Sequence, residues 1–417
     1  MSGQKVMNRW LVVFGAVLVQ MCLGAIYAWS VFTPGLIDAG WTTTQTMAAF
    51  SAALVSYALV MVLAGFQLER FGPRALAICG GLVLGTGYII AGLFGGTNFW
   101  MIFLFIGVMG GSGIGIGYVV PISVGMKWFP DKKGMITGLA VAGFGFGATG
   151  WVKIAGSVGK LIENYGLSNT FLIFGIAFAI LVTLGGLTMV DPPEGWLPEG
   201  YEPENENGSG ESGSEVVDIS GKQLLSTPQY YLMFVTFIFG AGAGLMTIGL
   251  IKPFGINALG ATGMEVVKAS AVAGTALAIL SIANGLGRII WGIISDKTGP
   301  KLALMIMMII QAVTLFLFNF MAGAENLFYI ASAIIGFNFG GNLALFPTLT
   351  AELFGTANVG KNYPMVFLAY GIGGILCPIA GGKLGDMGKY PLAFTLSAIL
   401  CIVGFFLISM IKKPKVN

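Results

Sequence analysis

The sequence predicts an all-α membrane protein whose twelve transmembrane helices form two pseudo-symmetric six-helix bundles. Three observations predict this class: an apolar composition, twelve long apolar runs, and a motif that occurs once in each half. Of the 417 residues, 56% are hydrophobic and 9% are charged, whereas a soluble domain has about 25% charged residues. Such a chain cannot cover itself with polar surface. We therefore expect it in a lipid bilayer, and we exclude a soluble enzyme or a nucleic-acid-binding domain.

The twelve apolar runs are each about 18 residues or longer, which is the length that crosses a bilayer as a helix. The first run is too long for the apolar core of a cleavable signal peptide, so we expect it to stay as a helix. The first six predicted segments are roughly 10–36, 44–66, 74–95, 98–126, 135–158 and 168–190. The last six are roughly 229–256, 267–293, 301–322, 326–352, 363–384 and 390–411.

One long polar stretch, residues 191–228, separates the two sets of six segments. Nine of the 18 acidic residues lie between Asp191 and Asp218, among several glycines and serines. This composition predicts a flexible acidic linker. We therefore expect an N-terminal bundle over residues 1–190 and a C-terminal bundle over residues 229–417.

A short motif repeats at an interval of 227 residues, from Gly65 to Gly292. In both copies, glycine is followed by an acid, a base and a Gly-Pro-base triplet at the same spacing. The first copy comprises Gly65, Glu69, Arg70, Gly72, Pro73 and Arg74, and the second comprises Gly292, Asp296, Lys297, Gly299, Pro300 and Lys301. Two six-helix halves in the same order are typical of one large architecture of secondary transporters.

The distribution of Lys and Arg predicts the orientation of the chain in the membrane. Most basic residues fall on one side if both termini lie there, which matches the excess of positive charge found in cytoplasmic loops. We expect a multi-pass protein of the cell (inner) membrane, with both termini and the acidic linker in the cytoplasm.

Several residue types are absent where an enzyme would need them. The chain has no His, which is the commonest general base and metal ligand. No Asp or Glu lies in the middle of a predicted helix. The four cysteines lie inside apolar runs without metal-binding spacing, so we expect buried thiols. We therefore expect no enzymatic activity, no metal and no cofactor.

These features together resemble the major facilitator superfamily, and the resemblance covers the whole chain. Finer motifs resemble its oxalate/formate antiporter-like branch and the monocarboxylate transporters. The motifs are Tyr27-Ala28-Trp29-Ser30, Trp128-Phe129-Pro130-Asp131-Lys132-Lys133-Gly134, Ser226-Thr227-Pro228-Gln229-Tyr230, Trp291-Gly292 together with Asn284 and Arg288, and Leu345-Phe346-Pro347. The resemblance implies a transporter that works by alternating access.

The resemblance also implies residues that bind substrate. Oxalate exchangers of this branch use an Arg that matches Arg288 and a Lys whose position falls on Tyr370. Their aromatic cage carries over to four positions, and a further cage tyrosine falls on Leu343. The four are Tyr27, Tyr118, Phe339 and Phe367. Animal monocarboxylate transporters have Asp at the position of Asn284 and a Lys near the position of Val31, so their proton-coupling scheme does not carry over directly.

Arg288 is the strongest candidate for a binding residue on physical grounds. It lies eight residues before Asp296 at the cytoplasmic end of its helix, or about 12 Å along the helix axis. That depth is close to the middle of the bilayer, where an Arg costs at least about 2.5–3.5 kcal/mol and usually faces a polar cavity. Its guanidinium matches a carboxylate in bidentate geometry. Asn284, one turn earlier, could donate to a substrate hydroxyl, orient Arg288, or bond to another helix.

Other polar residues suggest conformational and coupling roles. We expect a latch between helices on the cytoplasmic side, formed by Gly65, Glu69, Arg70, Arg74, Asp296 and Lys297. With no buried acid or His available, Asp38 and Lys252 are the candidates for proton coupling, and both lie toward the outer side.

The expected substrate is a small organic anion, bound in one central pocket by Arg288, Asn284 and the aromatic residues. One buried cation favours a lactate- or pyruvate-like monocarboxylate, moved by proton symport or by exchange. An oxalate/formate-type antiporter is the alternative within this class. A non-transporting membrane sensor is the alternative from another class, and its linker would carry a signalling module. We expect a monomer in contact with lipid, and no nucleic-acid partner.

Overall fold

The structure, a computed structural model, describes residues 7–156, 158–198, 219, 221 and 223–414. Most of the predicted acidic linker lies outside these described residues, so its flexibility stays a prediction.

The described residues are almost entirely helical and contain no strand. The first helices are α1 (Arg9–Leu23), α2 (Thr33–Asp38), α3 (Thr43–Ile90), α4 (Phe99–Ile102), α5 (Gly111–Trp128), α6 (Lys133–Ala155) and α7 (Leu161–Gly186). The remaining helices are α8 (Pro228–Gly260), α9 (Val266–Thr298), α10 (Pro300–Met321), α11 (Glu325–Phe354), α12 (Val359–Asp386) and α13 (Tyr390–Ser409).

In the described part of the chain, eleven helical stretches are long and apolar enough to cross a membrane. One of them, Ala48–Gly95, comprises most of α3 and the π-helix Ala91–Gly95 that follows it, so the second and the third predicted segment lie in one continuous helical stretch. Gly72 interrupts α3 with a φ of 78°, a value that glycine adopts without the steric cost of a Cβ. With α3 counted as two segments, all twelve predicted segments are helical. The all-α membrane class is confirmed.

The repeated motif has the same backbone conformation in both halves. Gly72 has a φ of 78°, and its counterpart Gly299 has a φ of 81°. A proline follows each glycine, and Pro300 is the first residue of α10. Proline suits that position because its fixed φ is helical and its missing N–H would have no partner there. Each Gly-Pro pair therefore ends one helix and starts the next.

The first predicted segment, 10–36, is not one continuous α-helix. A 3₁₀-helix over Gly24–Val31 separates α1 from α2. Gly24 lies against α6, because a Cβ built on it would be 1.9 Å from the carbonyl oxygen of Phe144. The tighter winding of a 3₁₀-helix changes the directions of its side chains, among them that of Tyr27. The fourth segment is also irregular, with a π-helix over Phe103–Gly110.

The chain divides into two compact units. Unit 1 comprises Met1–Glu215 and Thr356–Pro364, and unit 2 comprises Val216–Gly355 and Met365–Asn417. Helix α12 belongs to both units, since its first residues, up to Pro364, pack with unit 1 and the rest with unit 2. The bundle limits expected from the sequence, 1–190 and 229–417, place all of α12 in the C-terminal bundle.

In unit 1, the motif from Trp128 to Gly134 connects three parts of the chain. The buried Trp128 donates from Nε1 to the carbonyl oxygen of Val190 at 2.7 Å, just after α7. Asp131 pairs with Arg9 at 3.2 Å, and the Arg9 guanidinium lies 4.4 Å from the centre of the Phe129 ring. This motif therefore holds the end of α5 against the start of α1 and the end of α7.

In unit 2, glycines bring α9 and α11 into backbone contact. A Cβ on Gly336 would lie 2.2 Å from the carbonyl oxygen of Leu280, and one on Gly340 would lie 2.0 Å from that of Asn284. Small residues allow membrane helices to approach this closely. A second contact involves Lys301, whose Nζ donates to the carbonyl oxygens of Ser409 and Ile411 at 3.0 and 2.6 Å. Lys301 therefore caps the end of α13.

The cysteine prediction is partly wrong. All four cysteines are free, and Cys22 and Cys401 are buried, but Cys79 is exposed and Cys377 is half-buried. Apolar runs of a membrane helix include the face that meets lipid, so an apolar neighbourhood in sequence does not imply burial inside the protein.

Candidate functional site

The buried cation of unit 2 is Arg288, near the middle of α9. Its side chain is 1% exposed, and it is one of the largest fully buried side chains in the described residues. Asn284 lies one turn earlier on the same face and is 7% exposed. Its Oδ1 accepts from Arg288 Nη2 at 2.9 Å and from Nε at 3.2 Å. Of the roles open to Asn284, these hydrogen bonds favour the one in which it orients Arg288.

This hydrogen bonding involves one edge of the guanidinium. Asn284 Oδ1 lies against the edge formed by Nε and Nη2. Asn284 Nδ2 is buried and has no hydrogen-bond partner among the described residues. This N–H group is a second donor beside the cation.

Helix α11 packs against the backbone of Asn284 and Arg288. A Cβ on Gly340 would lie 2.0 Å from the carbonyl oxygen of Asn284 and 3.2 Å from the backbone nitrogen of Arg288. The contact leaves no space for a larger residue. Gly340 therefore sets the position of the Asn284–Arg288 pair, although it carries no side chain.

Three of the predicted aromatic residues lie together in unit 2. The rings of Phe367 and Tyr370 on α12 are stacked, with centroids 5.0 Å apart, and Tyr370 is stacked on Phe339 of α11 at 6.4 Å. Gly244 on α8 provides the space for Phe339, because a Cβ there would lie 2.1 Å from that ring. Since Phe339 precedes Gly340, the rings and the cation are linked through one turn of α11.

Two further rings, which were not predicted from the sequence, extend this aromatic group. Phe237 of α8 lies 6.1 Å from Phe367 and 6.0 Å from Tyr370, and it stacks on Phe346 of α11 at 4.1 Å. Phe346 is part of the Leu-Phe-Pro motif that carried the family resemblance. That motif was the available signal for Phe346, whereas nothing distinguished Phe237 among the 31 phenylalanines.

The other predicted aromatic residues form a group of their own in unit 1. The ring of Phe144 on α6 lies 5.3 Å from Tyr27 and 5.3 Å from Tyr118. Tyr57 on α3 joins them, 5.2 Å from Tyr118 and 6.4 Å from Phe144. The backbone oxygen of Tyr118 accepts from Gln20 Nε2 at 3.0 Å. Tyr57, Phe144 and Gln20 were not predicted from the sequence, although a Gln and a Tyr in the middle of apolar runs were available signals.

Part of the predicted latch has partners within unit 1. Glu69 pairs with Lys361 in the first turn of α12 at 2.5 Å. Gly65 lies against the same turn, since a Cβ on it would be 2.3 Å from the carbonyl oxygen of Gly360. Lys133 also reaches this segment, donating to Thr356 Oγ1 at 2.8 Å. Lys361 and Lys133 were not predicted as members of the latch.

The other latch residues and the coupling candidates lie at exposed positions. Arg70 is exposed, with its guanidinium 5.2 Å from the Phe71 ring centre. Arg74 on α3 and the pair Asp296 and Lys297 at the end of α9 are also exposed. The proton-coupling candidates are exposed too, namely Asp38 at the end of α2 and Lys252 before Pro253 on α8. The roles of these residues stay predictions.

Besides Asn284, unit 2 contains further buried side-chain amides. Trp291 Nε1 donates to Asn338 Oδ1 at 3.3 Å, which links α9 to α11. Both side-chain polar atoms of Gln311, Asn338 Nδ2 and Asn342 Oδ1 are buried without a hydrogen-bond partner among the described residues. Buried amides of this kind usually bind ordered water. Asn338 therefore bonds across helices, and its neighbourhood is polar.

One groove of about 460 Å³ lies away from these groups. It is lined by residues of α3 and by Met109, and none of them is a predicted site residue. The lining residues are Ala75, Ile78, Cys79, Leu82, Val83, Thr86 and Met109. Its lining is apolar, as expected for a helix surface that faces lipid.

Comparison with known families and proteins places the whole chain in one family. The model of the Major Facilitator Superfamily matches residues 9–271 and 246–416. Among solved structures, the chain is similar to the major facilitator transporter FucP in its outward conformation, with a TM-score of 0.69 and 16% identity. The match covers 98% of this chain and 100% of that one. This likeness concerns the fold.

Curated relatives are similar over most of their length. The chain is 32% identical to the uncharacterized MFS-type transporter YhjX of Escherichia coli (strain K12), over 88% of this chain and 86% of that protein. It is 27% identical to the oxalate:formate antiporter of Oxalobacter formigenes, over 97% and 91%. It is 24% identical to apicoplast pyruvate carrier 1 of Toxoplasma gondii, over 86% and 81%.

Proposed function

The chain belongs to the major facilitator superfamily of multi-pass membrane transporters, and we propose that it is a secondary active transporter of small monocarboxylates, lactate- or pyruvate-like. The single observation that carries this proposal is the buried pair of Arg288 and Asn284. Transport in this proposal follows alternating access, with the two bundles exposing the bound anion to each side in turn.

The charge of Arg288 supports an anion as the substrate. Among the described residues, it is the only Lys, Arg, Asp or Glu whose side chain is fully buried. A guanidinium taken out of water is stabilised by an anion that brings both charge and two hydrogen-bond acceptors. A monocarboxylate supplies these acceptors with a single negative charge.

The aromatic group of unit 2 supports a substrate with a small apolar part. Phe339, Phe367 and Tyr370 present ring faces and edges, and Tyr370 occupies the position where oxalate exchangers have a second cation. Rings provide favourable surroundings for a methyl group. A second carboxylate would lose its hydration there without gaining a cation. This contrast favours lactate or pyruvate over oxalate.

The named relatives support an organic anion without choosing one. One is an oxalate:formate antiporter and another is a pyruvate carrier. An oxalate/formate-type antiporter is therefore the second candidate function. It is favoured by the 27% sequence identity to the oxalate:formate antiporter, which extends over 97% of this chain. The expectation that Tyr27 and Tyr118 share one central pocket with Arg288 remains part of the proposal.

For energy coupling, we propose proton symport with the coupling group outside the Arg288 site. Among the described side chains no Asp or Glu is buried, so a proton must be taken up elsewhere. Asp38 and Lys252 are our candidates. An inward proton gradient should stimulate uptake, and Asp38→Asn or Lys252→Ala should weaken this stimulation more than it weakens exchange of internal for external substrate.

The experiment that tests the proposal is uptake by purified protein in proteoliposomes. Labelled lactate, pyruvate and oxalate are compared, with and without an inward proton gradient and with and without unlabelled acid inside. We expect uptake of lactate or pyruvate, stimulated by the gradient. Uptake of oxalate alone that depends on internal formate would establish the antiporter instead, and no uptake of any acid would reject both candidates.

A further inference from the structure

The amide of Asn284 has two ends, and each has a different neighbour. A guanidinium has donors and no acceptor, so the amide oxygen is the end that faces Arg288. It accepts two hydrogen bonds there, at 2.9 and 3.2 Å. The amide nitrogen therefore makes no hydrogen bond to Arg288. It is buried and has no hydrogen-bond partner among the described residues.

A buried N–H donor without an acceptor is unfavourable, because it has lost its water and gained nothing in return. Asn284 is 7% exposed, so little water reaches its amide nitrogen. The close contact of Gly340 with the backbone oxygen of Asn284 also limits any shift of α9 that would expose the amide further. The cost would be removed by a ligand that brings an oxygen to Nδ2. The donor therefore indicates what lies next to the carboxylate in a bound substrate.

We propose that Asn284 determines which monocarboxylates bind, by donating from Nδ2 to an oxygen on carbon 2 while its Oδ1 holds the Arg288 guanidinium. This inference rests on the proposed function, since it requires that Arg288 bind the substrate's carboxylate. The preferred substrates are then 2-oxo and 2-hydroxy monocarboxylates, and acids without the second oxygen bind more weakly.

The geometry of the pair supports this role. Asn284 Oδ1 accepts from Nε and Nη2 of Arg288, so the amide lies against the guanidinium that binds the carboxylate in our proposal. Nδ2 belongs to the same amide as this oxygen, and it therefore lies within about 5 Å of Nη2. In a 2-oxo or 2-hydroxy acid, the second oxygen is on the carbon next to the carboxylate, so a carboxylate on Arg288 brings it near this donor.

The test measures how strongly three acids of nearly equal size bind to the purified protein. Each unlabelled acid competes with labelled pyruvate for binding. Pyruvate has a keto oxygen on carbon 2, lactate has a hydroxyl, and propionate has neither. In the unmutated protein, we expect propionate to bind roughly tenfold more weakly than pyruvate or lactate, the effect of one unmade hydrogen bond. In Asn284→Ala, all three acids should bind more weakly, and the pyruvate-to-propionate ratio should fall to about one.

Asn338→Ala provides the matched control. It removes another buried amide from a neighbouring helix, one that accepts from Trp291, and it should leave the pyruvate-to-propionate ratio unchanged even if the protein is less stable. Asn284→Asp adds a second check. It keeps the acceptor for Arg288 but removes the donor and neutralises the cation, so its affinity for all three acids should fall and the ratio should again approach one.

The outcomes separate this inference from the proposed function. Equal binding of pyruvate and propionate by the unmutated protein would overturn the role of Asn284 and leave monocarboxylate transport standing. A ratio that survives Asn284→Ala would also overturn it, because a residue that only orients Arg288 weakens all three acids alike. If the unmutated protein binds none of the acids, the proposed function fails, and this inference fails with it.

Discussion

Helices α3 and α5 in unit 1 and helices α9 and α11 in unit 2 pack in the same way. In each pair, glycines of one helix lie against backbone carbonyl oxygens of the other. In unit 1, Cβ atoms on Gly111 and Gly115 would lie 2.3 and 2.6 Å from the carbonyl oxygens of Ala53 and Tyr57. In unit 2, the corresponding distances are 2.2 Å from Gly336 to Leu280 and 2.0 Å from Gly340 to Asn284. The helix packing is therefore repeated.

The side chains at matching positions differ in kind. The interval of 227 residues places Tyr57 opposite Asn284, and Met61 opposite Arg288. All four are buried, but unit 1 has an aromatic ring and a thioether where unit 2 has an amide and a guanidinium. The repeated helix packing thus carries two different kinds of side chain. The two units therefore share the helix packing, whereas the two groups that we propose bind the anion occur on α9 alone of the two matching helices.

The largest expected effect comes from making unit 2 resemble unit 1. Arg288→Met should reduce pyruvate uptake roughly 100-fold or more, because it removes charge-assisted hydrogen bonds and the charge itself. Arg288→Lys should also lose most transport, since an ammonium lacks the planar fork. Uptake into proteoliposomes checks both variants.

Met61→Leu is the matched control in unit 1. It conserves volume at a position that is 0% exposed, so it should fold and transport nearly as the unmutated protein does. Wild-type uptake by Arg288→Lys would show that a bidentate contact is unnecessary. Wild-type uptake by Arg288→Met would remove Arg288 from the site.

A second comparison uses Gly340, which contacts the backbone of Asn284, and Gly115, which contacts the backbone of Tyr57. Gly340→Ala and Gly115→Ala each force a Cβ against a backbone oxygen, at 2.0 and 2.6 Å before relaxation. Both should lower the thermal midpoint. Only Gly340→Ala displaces Arg288, so it should weaken pyruvate binding further, by about 1.4 kcal/mol or roughly tenfold. Gly274→Ala on α9, where no atom lies within 4 Å, controls for the substitution. Equal loss of binding in both glycine variants would show that the effect is one of general packing.

A third change tests why unit 2 favours one carboxylate. Tyr370→Lys restores the second cation at the position used by oxalate exchangers, next to the stacked ring of Phe367. We expect oxalate uptake to rise several-fold while pyruvate uptake falls, because the second carboxylate then has a partner. The ratio of labelled oxalate to labelled pyruvate taken up measures this change. An unchanged ratio in a folded variant would mean that Tyr370 does not meet the substrate.

The smallest effect is expected for the latch. The Glu69–Lys361 pair is partly exposed, with side-chain exposures of 66% and 18%, so its loss costs under about 1 kcal/mol. Glu69→Gln should change the pyruvate uptake rate by less than about fivefold, and more at low salt than at high salt. The exchange Glu69→Lys with Lys361→Glu should recover the rate. If the uptake rate does not recover, the latch depends on the backbone contact of Gly65 with Gly360 and not on the ion pair.

Some of this molecule was predictable because local chemistry determines it. Apolar runs gave the twelve spans, and Gly-Pro pairs gave the breaks at Gly72 and Gly299, whose positive φ only glycine tolerates well. The burial of Arg288 inside the protein was predictable because an Arg in contact with lipid at that depth is costly. Asn284 shared its helical face, and the spacing alone brought the two together.

Other features depend on contacts that sequence spacing does not reveal. The 3₁₀-helix at Tyr27 lies where α6 approaches Gly24, and nothing in the apolar run indicates it. Lys361 pairs with Glu69 across 292 positions of sequence. Phe144 was missed because a ring in an apolar run reads as ordinary core, and only the contact with Tyr27 and Tyr118 distinguishes it.

The central claim is that Arg288 receives the carboxylate of a monocarboxylate substrate. A structure determined at a saturating concentration of pyruvate tests it most directly. The account predicts both carboxylate oxygens within about 3.2 Å of the guanidinium nitrogens of Arg288. Pyruvate bound elsewhere, with Arg288 held only by protein groups while the same preparation transports pyruvate, would contradict it.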